Sequence, residues 1–451
     1  MFCSLYEVFP RVVPADVRSR IFIRGLFSQS DFRKIPGRLT VEYVGADGLL
    51  EDGLLPGLTM NAYSLNRPAY SSIPADYDPE TGILSFDLFF RGEGEHSIRI
   101  LSGDGSVLTV QHVFSLKEEL YSLRPLRGDM HLHSVYSLCS RDKASPEYIA
   151  AHNCSLGLDF ISVSDHRRRD SSLLAVDFAR ECGGTFRAYS GEEVHLHDLH
   201  HLHFLNFGGS FGISDYLLDH ADELPELLKP YYEKVPDCQD GYLRRLMASS
   251  SFLFDKIRES GGLSVFNHPH WKPNDRFFLP KPVLDYIVKD SRFDAIEIFG
   301  GGSTLPQIRE ANNLNAALHQ ELCIRSGRYL PALGNNDAHL CDNMGNYCSI
   351  VFAPSNTREE IISAIRSCRV VAMDRTPGEF PWCIGLLRFV KYTLFLLREF
   401  YPEHDRIRRE EGRLMMQILA GEVPVEPGEM QRINERMDRL SRKFWHPSMA
   451  S

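Results

Sequence analysis

The sequence has no excess of basic charge. It holds 50 lysines and arginines against 60 aspartates and glutamates, so its formal net charge is −10. Proteins that bind duplex DNA usually carry a net basic domain, so we expect no duplex DNA partner. The acidic balance does not exclude a small anionic substrate, because bound metal ions can supply positive charge locally.

The ten cysteines, spread from Cys3 to Cys383, form no C-x-x-C pair and no zinc-finger spacing. Scattered thiols in a long chain are typical of reduced residues in a cytosolic protein. The first residues show no basic region followed by an apolar run, so we expect no signal peptide. These features together predict a cytoplasmic protein.

No uninterrupted apolar run is long enough to cross a membrane. The longest apolar stretch, Trp382 to Phe400, is broken by four charged side chains: Arg388, Lys391, Arg398 and Glu399. This pattern predicts an amphipathic helix near 382–400 and no membrane partner.

Residues 1–122 are predicted to form a β-rich accessory domain. Strand-like runs at 20–24, 39–44, 83–90 and 97–101 are separated by turn signals, such as Ala46-Asp47-Gly48. Short, regularly spaced strands of this kind indicate a small sandwich. A packing role is the simplest interpretation. The alternative is a surface for carbohydrate or a partner protein, which an exposed platform with Tyr63 or Tyr70 would indicate.

Residues 123–376 alternate between strand-like and helical segments, which indicates a parallel α/β arrangement, open or closed into a barrel. The clearest helix begins at Ser145-Pro146-Glu147 and ends at Gly157. The predicted strands are 128–133, 158–165, 186–194, 203–207, 263–268, 295–299 and 330–337. Residues 377–451 are predicted to be a helical extension that packs on the chain or joins copies into a homo-oligomer.

Ionisable side chains recur at the ends of six of these strands. The strand-end segments are Asp129 to Ser134, Ser164 to His166, Gly191 to Val194, His201 to Leu205, Phe266 to His270 and Asn335 to His339. Active residues of α/β folds gather at the carboxyl ends of strands. Burying so many ionisable groups costs several kcal/mol each unless they are paired. Imidazoles and carboxylates without a thiolate suit Zn, Mn or Fe, and more than four ligands imply more than one ion.

The ordered motifs closely resemble those of the PHP (polymerase and histidinol phosphatase) family over roughly residues 125–375. They are His131-Leu132-His133, Asp165-His166, Glu193, His268-Pro269 and Asp337-Ala338-His339. The resemblance implies a distorted (β/α)7 barrel and metal-dependent hydrolysis of phosphate esters, with two or three divalent ions (Mn, Fe or Zn).

The resemblance also implies how the ligands divide among the ions. One ion lies among His131, His133, Glu193 and Asp337. A second shares Glu193 and adds His203 and His268. A third uses His166, His339 and an acidic residue that follows the H-x-H motif. The same comparison marks Glu193, His268 and Asp337 as catalytic.

The sequence departs from the family at that acidic residue. Family members commonly have H-S-x-x-S-D-G, whereas Leu138 stands here at the aspartate position, in a longer loop. Asp142 is the predicted replacement; if it does not bind, the cluster is binuclear. The family pattern also selects two ligands from among similar neighbours. It favours Glu193 rather than Glu192, and His203 rather than the other histidines of the same stretch.

Arginines beside the predicted site are candidates for binding phosphate, since the guanidinium group matches phosphate oxygens. Arg167 and Arg168 follow His166, and Arg141 lies in the loop after His133. The alternative is that they are solvated loop residues.

The predicted function is hydrolysis of a small phosphomonoester, such as a nucleotide or a sugar phosphate, by metal-activated water. The alternatives are a phosphodiesterase or nuclease-like hydrolase, and a metal-stabilised binding protein without catalytic activity.

Overall fold

The structure, a computed structural model, describes residues 5–45, 70–273, 276–303, 305–421 and 428–446. Internal contacts divide the chain into two units. Unit 1 comprises Met1–Leu123, Leu394–Tyr401 and Arg436–Ser451, and unit 2 comprises Arg124–Thr393 and Pro402–Glu435. The C-terminal residues are thus shared between the units, while the three-part division given above stays a prediction.

Unit 1 is built mainly from strands. They are β1 (Tyr6–Phe9), β2 (Val12–Pro14), β3 (Val17–Gly25), β4 (Thr40–Val44), β5 (Ser71–Ile73), β6 (Asp76–Asp78), β7 (Ile83–Phe90), β8 (Gly94–Leu101) and β9 (Val107–Leu116), followed by the short helix α1 (Glu118–Tyr121).

These strands form two sheets around one core. One sheet has the order β1-β3-β7-β6 and the other β2-β9-β8-β4-β5. Alternating residues of both sheets, such as Ile21, Phe86, Ile98 and Val113, are buried in one apolar cluster. This is the sandwich that the strand pattern predicts. The Ala46-Asp47-Gly48 turn and Tyr63 lie outside the described residues, and Tyr70 lies under the guanidinium of Arg99, 3.9 Å away.

Unit 2 mixes strands and helices. Its strands are β10 (Arg124–Leu132), β11 (Phe160–Val163), β12 (Arg187–Ala188), β13 (Gly191–Val194), β14 (Phe204–Phe207), β15 (Leu263–Phe266), β16 (Ala295–Phe299), β17 (Ala332–Gly334), β18 (Tyr347–Ala353), β19 (Val370–Asp374) and β20 (Trp382–Gly385). Its helices are α2 (Pro146–Ser155), α3 (Asp170–Glu181), α4 (Ile213–Asp219), α5 (Leu224–Tyr232), α6 (Gly241–Glu259), α7 (Lys281–Asp290), α8 (Pro306–Ser326) and α9 (Arg358–Arg366). The C-terminal helices are α10 (Leu387–Glu399), α11 (Tyr401–Ala420) and α12 (Glu429–Trp445).

The strands of unit 2 form two mixed sheets. Their orders are β12-β11-β10-β18-β19-β20 and β13-β14-β15-β16-β17. The pairs β10–β11, β11–β12, β15–β16 and β16–β17 are parallel. The pairs β13–β14, β14–β15, β10–β18, β18–β19 and β19–β20 are antiparallel. The prediction of a mixed α/β fold is therefore confirmed, but an all-parallel alternation is not.

The predicted distorted (β/α)7 barrel is not found, since the strands in the described part of the chain form no closed barrel. Single bridges, Leu132–Ala338 and His166–Glu193, are formed outside the named strands. Asp337, beside the first bridge, has a left-handed φ of 47°, which is not extended geometry.

The predicted helix after Ser145 is present as α2. The Ser145 hydroxyl accepts a hydrogen bond from the Tyr148 N–H, and Pro146 occupies the first turn. Gly157, with φ of 93°, follows the helix end.

The predicted helix near 382–400 is wrong at its start. Trp382–Gly385 pairs with β19 as strand β20, and helix α10 begins only at Leu387. The backbone pairing with a neighbouring strand prevails over the apolar helical pattern in those four residues. Among the described helices, none combines the length and the apolar character needed to cross a membrane.

Candidate metal centre

The strand ends of unit 2 bring the predicted ligands together. His131 lies in β10 and His133 directly follows it, while His166 and His268 follow β11 and β15. His203 instead precedes its strand. Since β14 runs antiparallel to β13, its first residue pairs with Val194 at the end of β13. His203 therefore reaches the same edge as the other ligands.

Glu193 lies at the centre of the cluster and is fully buried. Its Oε1 lies 3.0 Å from His203 Nδ1 and 3.2 Å from His268 Nε2. Its Oε2 lies 2.9 Å from His166 Nδ1 and 3.4 Å from His133 Nε2. The two oxygens of one carboxylate thus face two different sets of imidazoles.

Asp337 forms the second acidic centre. Its Oδ1 lies 3.0 Å from His133 Nε2, 3.3 Å from His131 Nε2 and 3.6 Å from His339 Nε2. Asp337, His268 and Arg167 are three of the seven non-glycine residues with positive φ in the described part of the chain. Such backbone geometry costs of order 1–3 kcal/mol for each residue and clusters at functional sites.

The donors fit divalent metal ions better than they fit one another. Among the described residues, the buried atoms His131 Nε2, His166 Nδ1, Glu193 Oε2 and His339 Nδ1 have no hydrogen-bond partner, although oppositely charged groups lie nearby. Buried polar atoms are normally satisfied. Groups such as His131 with His133 and Glu193, or His133 with Asp337 and His339, could each hold an ion.

The charges of the cluster favour the ionised form of its carboxylates. Burial alone would raise the pKa of Glu193, but the neighbouring His203, His131 and His166 outweigh it and hold that pKa well below its usual range. Burial would lower the pKa of His166, but Glu193 outweighs it and raises the pKa to about 10. Histidine must be unprotonated to bind a metal ion, so binding of metal at His166 would release its proton.

Glu297 is a residue that sequence reasoning missed. It lies in β16, is fully buried, and its Oε2 accepts from His131 Nδ1 at 2.9 Å and from Asn335 Nδ2 at 3.0 Å. A carboxylate on the far nitrogen of a metal-binding histidine fixes the ring's tautomer and orientation. The signal was a glutamate within the otherwise apolar run Ala295–Phe299.

Two acidic residues beside the ligands have structural partners instead. Asp165 accepts from the Ser134 N–H at 2.7 Å and from Ser137 Oγ at 2.6 Å. Glu192 accepts from the Ile213 and Ser214 N–H groups at 2.6 and 3.0 Å, at the first turn of α4. The structure therefore places Glu193, and not Glu192, among the histidines.

The predicted phosphate-binding arginines differ in availability. Arg168 forms an ion pair with Asp170 at 2.6 Å and lies over the Tyr136 ring. Arg141 is exposed, and its backbone N–H donates a hydrogen bond to the His339 carbonyl at 2.9 Å. The Arg167 N–H donates to the Glu193 carbonyl at 2.9 Å. The backbone of Arg167 is thus hydrogen-bonded to the backbone of Glu193.

Asp142 and Cys139 share the loop after His133. Asp142 is exposed, and its carboxylate accepts from the Cys341 N–H at 2.5 Å. The Cys139 thiol forms a potential metal-binding group with His133 and His166. The donor set without a thiol stays a prediction, and Cys139 is a further candidate donor. The Cys139 side chain is exposed, yet partial desolvation of its thiol would raise the pKa; contacts with His166 and His339 outweigh that effect and lower the pKa to about 7.

The histidine-rich stretch contributes one further ring. His195 is buried and stacks on His203 with ring centroids 5.2 Å apart, and the two form a potential metal-binding group with His166. His201, in contrast, contacts the Tyr242 hydroxyl at 2.6 Å.

Comparisons with known proteins give partial likenesses. No protein-family profile matches the chain, and no curated protein matches it. Among solved structures, a two-domain protein from Bacteroides vulgatus contains a predicted PHP-like metal-dependent phosphoesterase. It is 19% identical over 56% of this chain and 66% of its own, with a TM-score of 0.36.

Two other solved structures are similar over about half of this chain. A Bifidobacterium adolescentis protein, itself assigned by prediction as a metal-dependent phosphoesterase, is 18% identical over 48% of this chain and 88% of its own, with a TM-score of 0.30. An amidohydrolase from Chromobacterium violaceum is 15% identical over 47% of this chain and 87% of its own, with a TM-score of 0.30. Similarity to PHP-like phosphoesterases is thus found, at low identity and partial coverage, and the functional proposal rests on the site's own geometry.

Proposed function

We propose that this protein is a metal-dependent phosphoesterase that hydrolyses a small phosphomonoester, such as a nucleotide or a sugar phosphate. The observation that carries the proposal is the buried cluster around Glu193 and Asp337. Two carboxylates and the rings of seven histidines converge there, and several of their atoms lack hydrogen-bond partners in the described chain.

The cluster's residues divide into three neighbouring sets. His131, His133, Glu193 and Asp337 would hold one ion, and Glu193, His203 and His268 a second. His166 and His339 would hold a third. Divalent ions in such a set lower the pKa of water and neutralise charge on phosphate oxygens. Glu193 contributes by facing His203 of the second set with Oε1 and His133 of the first set with Oε2, and Glu297 by holding the His131 ring in place.

Residues around the cluster fit a small phosphorylated substrate. Arg167 lies next to His166, and its guanidinium would bind phosphate oxygens. The partly exposed rings of Trp271 and Phe278 lie 6.3 and 5.1 Å from the His203 ring. Aromatic faces stack on bases, so these rings would contact the part of the substrate beyond the phosphate. The net charge of −10 favours such a substrate over duplex DNA.

The test combines metal analysis with activity. Protein without an affinity histidine tag is analysed for Mn, Fe and Zn, and assayed with p-nitrophenyl phosphate and bis-p-nitrophenyl phosphate. We expect two or three equivalents of metal and faster monoester turnover. The variants His131→Ala and Asp337→Ala should lose at least about 100-fold in activity, since even indirect ligand changes cost 10- to 100-fold. The control is His220→Ala, at the end of α4.

Two other outcomes assign other functions. Faster diester turnover would indicate a phosphodiesterase. Less than one equivalent of metal, with no turnover after adding divalent ions, would refute the enzyme and leave a binding protein.

We also propose that the C-terminal helices join copies of the chain into a homo-oligomer. The exposed apolar side chains of Ile418 and Leu419 on α11 support this proposal. Light scattering of the wild type and of an Ile418→Lys, Leu419→Lys variant would test it, and a monomeric wild type would refute it.

A further inference from the structure

The loop of residues 134–144 is fixed against the metal centre. Ser137 Oγ donates to Asp165 at 2.6 Å and lies 3.1 Å from His133 Nδ1. The Arg141 N–H donates to the His339 carbonyl at 2.9 Å. Residues between these two anchors therefore lie beside the histidines.

Leu138 and Cys139 differ in their surroundings. The Leu138 side chain is 96% exposed and contributes nothing to the cluster. The Cys139 sulfur and one ring nitrogen each of His133 and His166 lie within 4.8 Å of one another. Zinc bonds of about 2.0 to 2.3 Å place the donors around one ion ~3.3 to 3.8 Å apart, so a small side-chain adjustment would seat an ion in this group.

An unsatisfied buried carboxylate points into the same group. Glu193 is fully buried, and its Oε2 has no hydrogen-bond partner in the described chain although it lies 2.9 Å from His166 Nδ1 and 3.4 Å from His133 Nε2. A cation beside these nitrogens would satisfy this oxygen. Asp142, the acidic alternative in the loop, is exposed like Cys139, but its carboxylate already accepts a backbone hydrogen bond from Cys341.

We propose that Cys139 is a metal ligand that binds a zinc ion together with His166, beside the rings of His133 and His339. The inference deepens the proposed function, and it rests on the metal cluster proposed there. On binding, the Cys139 thiol loses its proton to solvent and the thiolate coordinates the ion. Because a thiolate is softer than a carboxylate, this position should favour zinc over manganese.

Cobalt substitution tests the proposal through a readout other than activity. Metal-free protein is titrated with Co²⁺, and the sulfur-to-cobalt charge-transfer absorption in the near ultraviolet is recorded beside the visible bands of all bound cobalt. We expect the charge-transfer absorption in the wild type and in the control variant Cys238→Ser. Cys139→Ser should lose that absorption, together with one equivalent of zinc.

The outcomes separate this inference from the proposed function. Bound cobalt without sulfur absorption in the wild type would overturn the role of Cys139 and leave the phosphoesterase proposal standing. No cobalt binding at all would refute both.

A second variant keeps the test independent of the thiol's absorption. Cys139→Asp supplies a hard oxygen donor at the same position, and we expect its affinity ratio of zinc to manganese to fall at least about tenfold. Competition with a chromophoric chelator measures both affinities. A ratio equal to that of the wild type would overturn the proposal.

Discussion

Replacing Glu297 by glutamine should weaken metal binding without dismantling the site. Glu297 is fully buried, and its Oε2 accepts hydrogen bonds from His131 at 2.9 Å and Asn335 at 3.0 Å. The glutamine amide oxygen has the same shape and can accept from both donors, so the change removes mainly the negative charge. Loss of such an outer partner typically costs 10- to 100-fold in metal affinity. We expect the lower end, about tenfold or 1.4 kcal/mol.

The assay is competition between the protein and a chromophoric chelator for zinc at pH 7. The matched control is Glu321→Gln, an exposed glutamate on α8, which should bind as tightly as the wild type. If the zinc affinity of the Glu297→Gln variant is within about twofold of the wild type, Glu297 does not orient the His131 ring for metal binding. Loss of a whole equivalent of metal would instead make Glu297 a direct ligand.

Three further predictions concern stability. Chelating the metals should lower the unfolding temperature, because ligands that bind only the folded state stabilise it by about 2.7 kcal/mol at 100 times their Kd. Gly128→Ala should cost about 1–3 kcal/mol in denaturant unfolding, because the new Cβ would lie 2.1 Å from the buried Phe160 ring. Asp159→Asn should lower the free energy of unfolding by about 3–5 kcal/mol at pH 7. The buried Asp159 Oδ1 lies 2.6 Å from Arg408 Nη2 and 2.8 Å from His404 Nε2.

The Asp159 prediction also has a defined pH dependence. Burial would raise the pKa of Asp159, but His404 and Arg408 outweigh it and lower the pKa below its usual value. The unfolded chain therefore takes up this proton near pH 3.9, at a higher pH than the folded protein does. The stabilisation is complete above that pH and is lost as the pH falls below it, so metal-free Asp159→Asn should lose less stability than the wild type on acidification.

Each stability prediction has its own control. Adding zinc back should restore the unfolding temperature, and an unchanged temperature on chelation would count against bound metal. Gly241→Ala, whose Cβ would meet open space, should be near neutral; an equal loss there would exclude the Phe160 clash as the cause. Asp177→Asn, at an exposed position, should leave the acid profile unchanged. If Asp159→Asn shows the same acid profile as the wild type, its ion pairs do not control acid unfolding.

Much of the site was predictable because its residues belong to short motifs at strand ends. His131 and His133 are two residues apart on β10, and side chains at that spacing share a face. His203 was selected by the motif alone. The antiparallel pairing of β13 with β14 supplies the physical reason for its place, and no local pattern predicted that pairing.

Other features depended on contacts between distant segments. Glu297 reaches His131 from 166 residues away, and a single sequence contains no sign of that pairing beyond a charge in an apolar strand. The loop after His133 contains both Asp142 and Cys139, and donor chemistry alone favoured the carboxylate. In the structure Asp142 accepts a hydrogen bond from the Cys341 N–H, and the Cys139 thiol lies beside His133 and His166, which local donor chemistry did not predict.

The sequence by itself therefore determined the motif residues of the candidate site, since ligand type and motif spacing are local properties. It also determined the β-rich first unit and the capped helix α2. Only the tertiary structure decided that the strands form two mixed sheets without closing a barrel, and that 382–385 is a strand. It also decided which side chains complete the cluster. Strand partners and buried charge pairs join residues that are far apart in the chain, and local sequence patterns contain no information about such contacts.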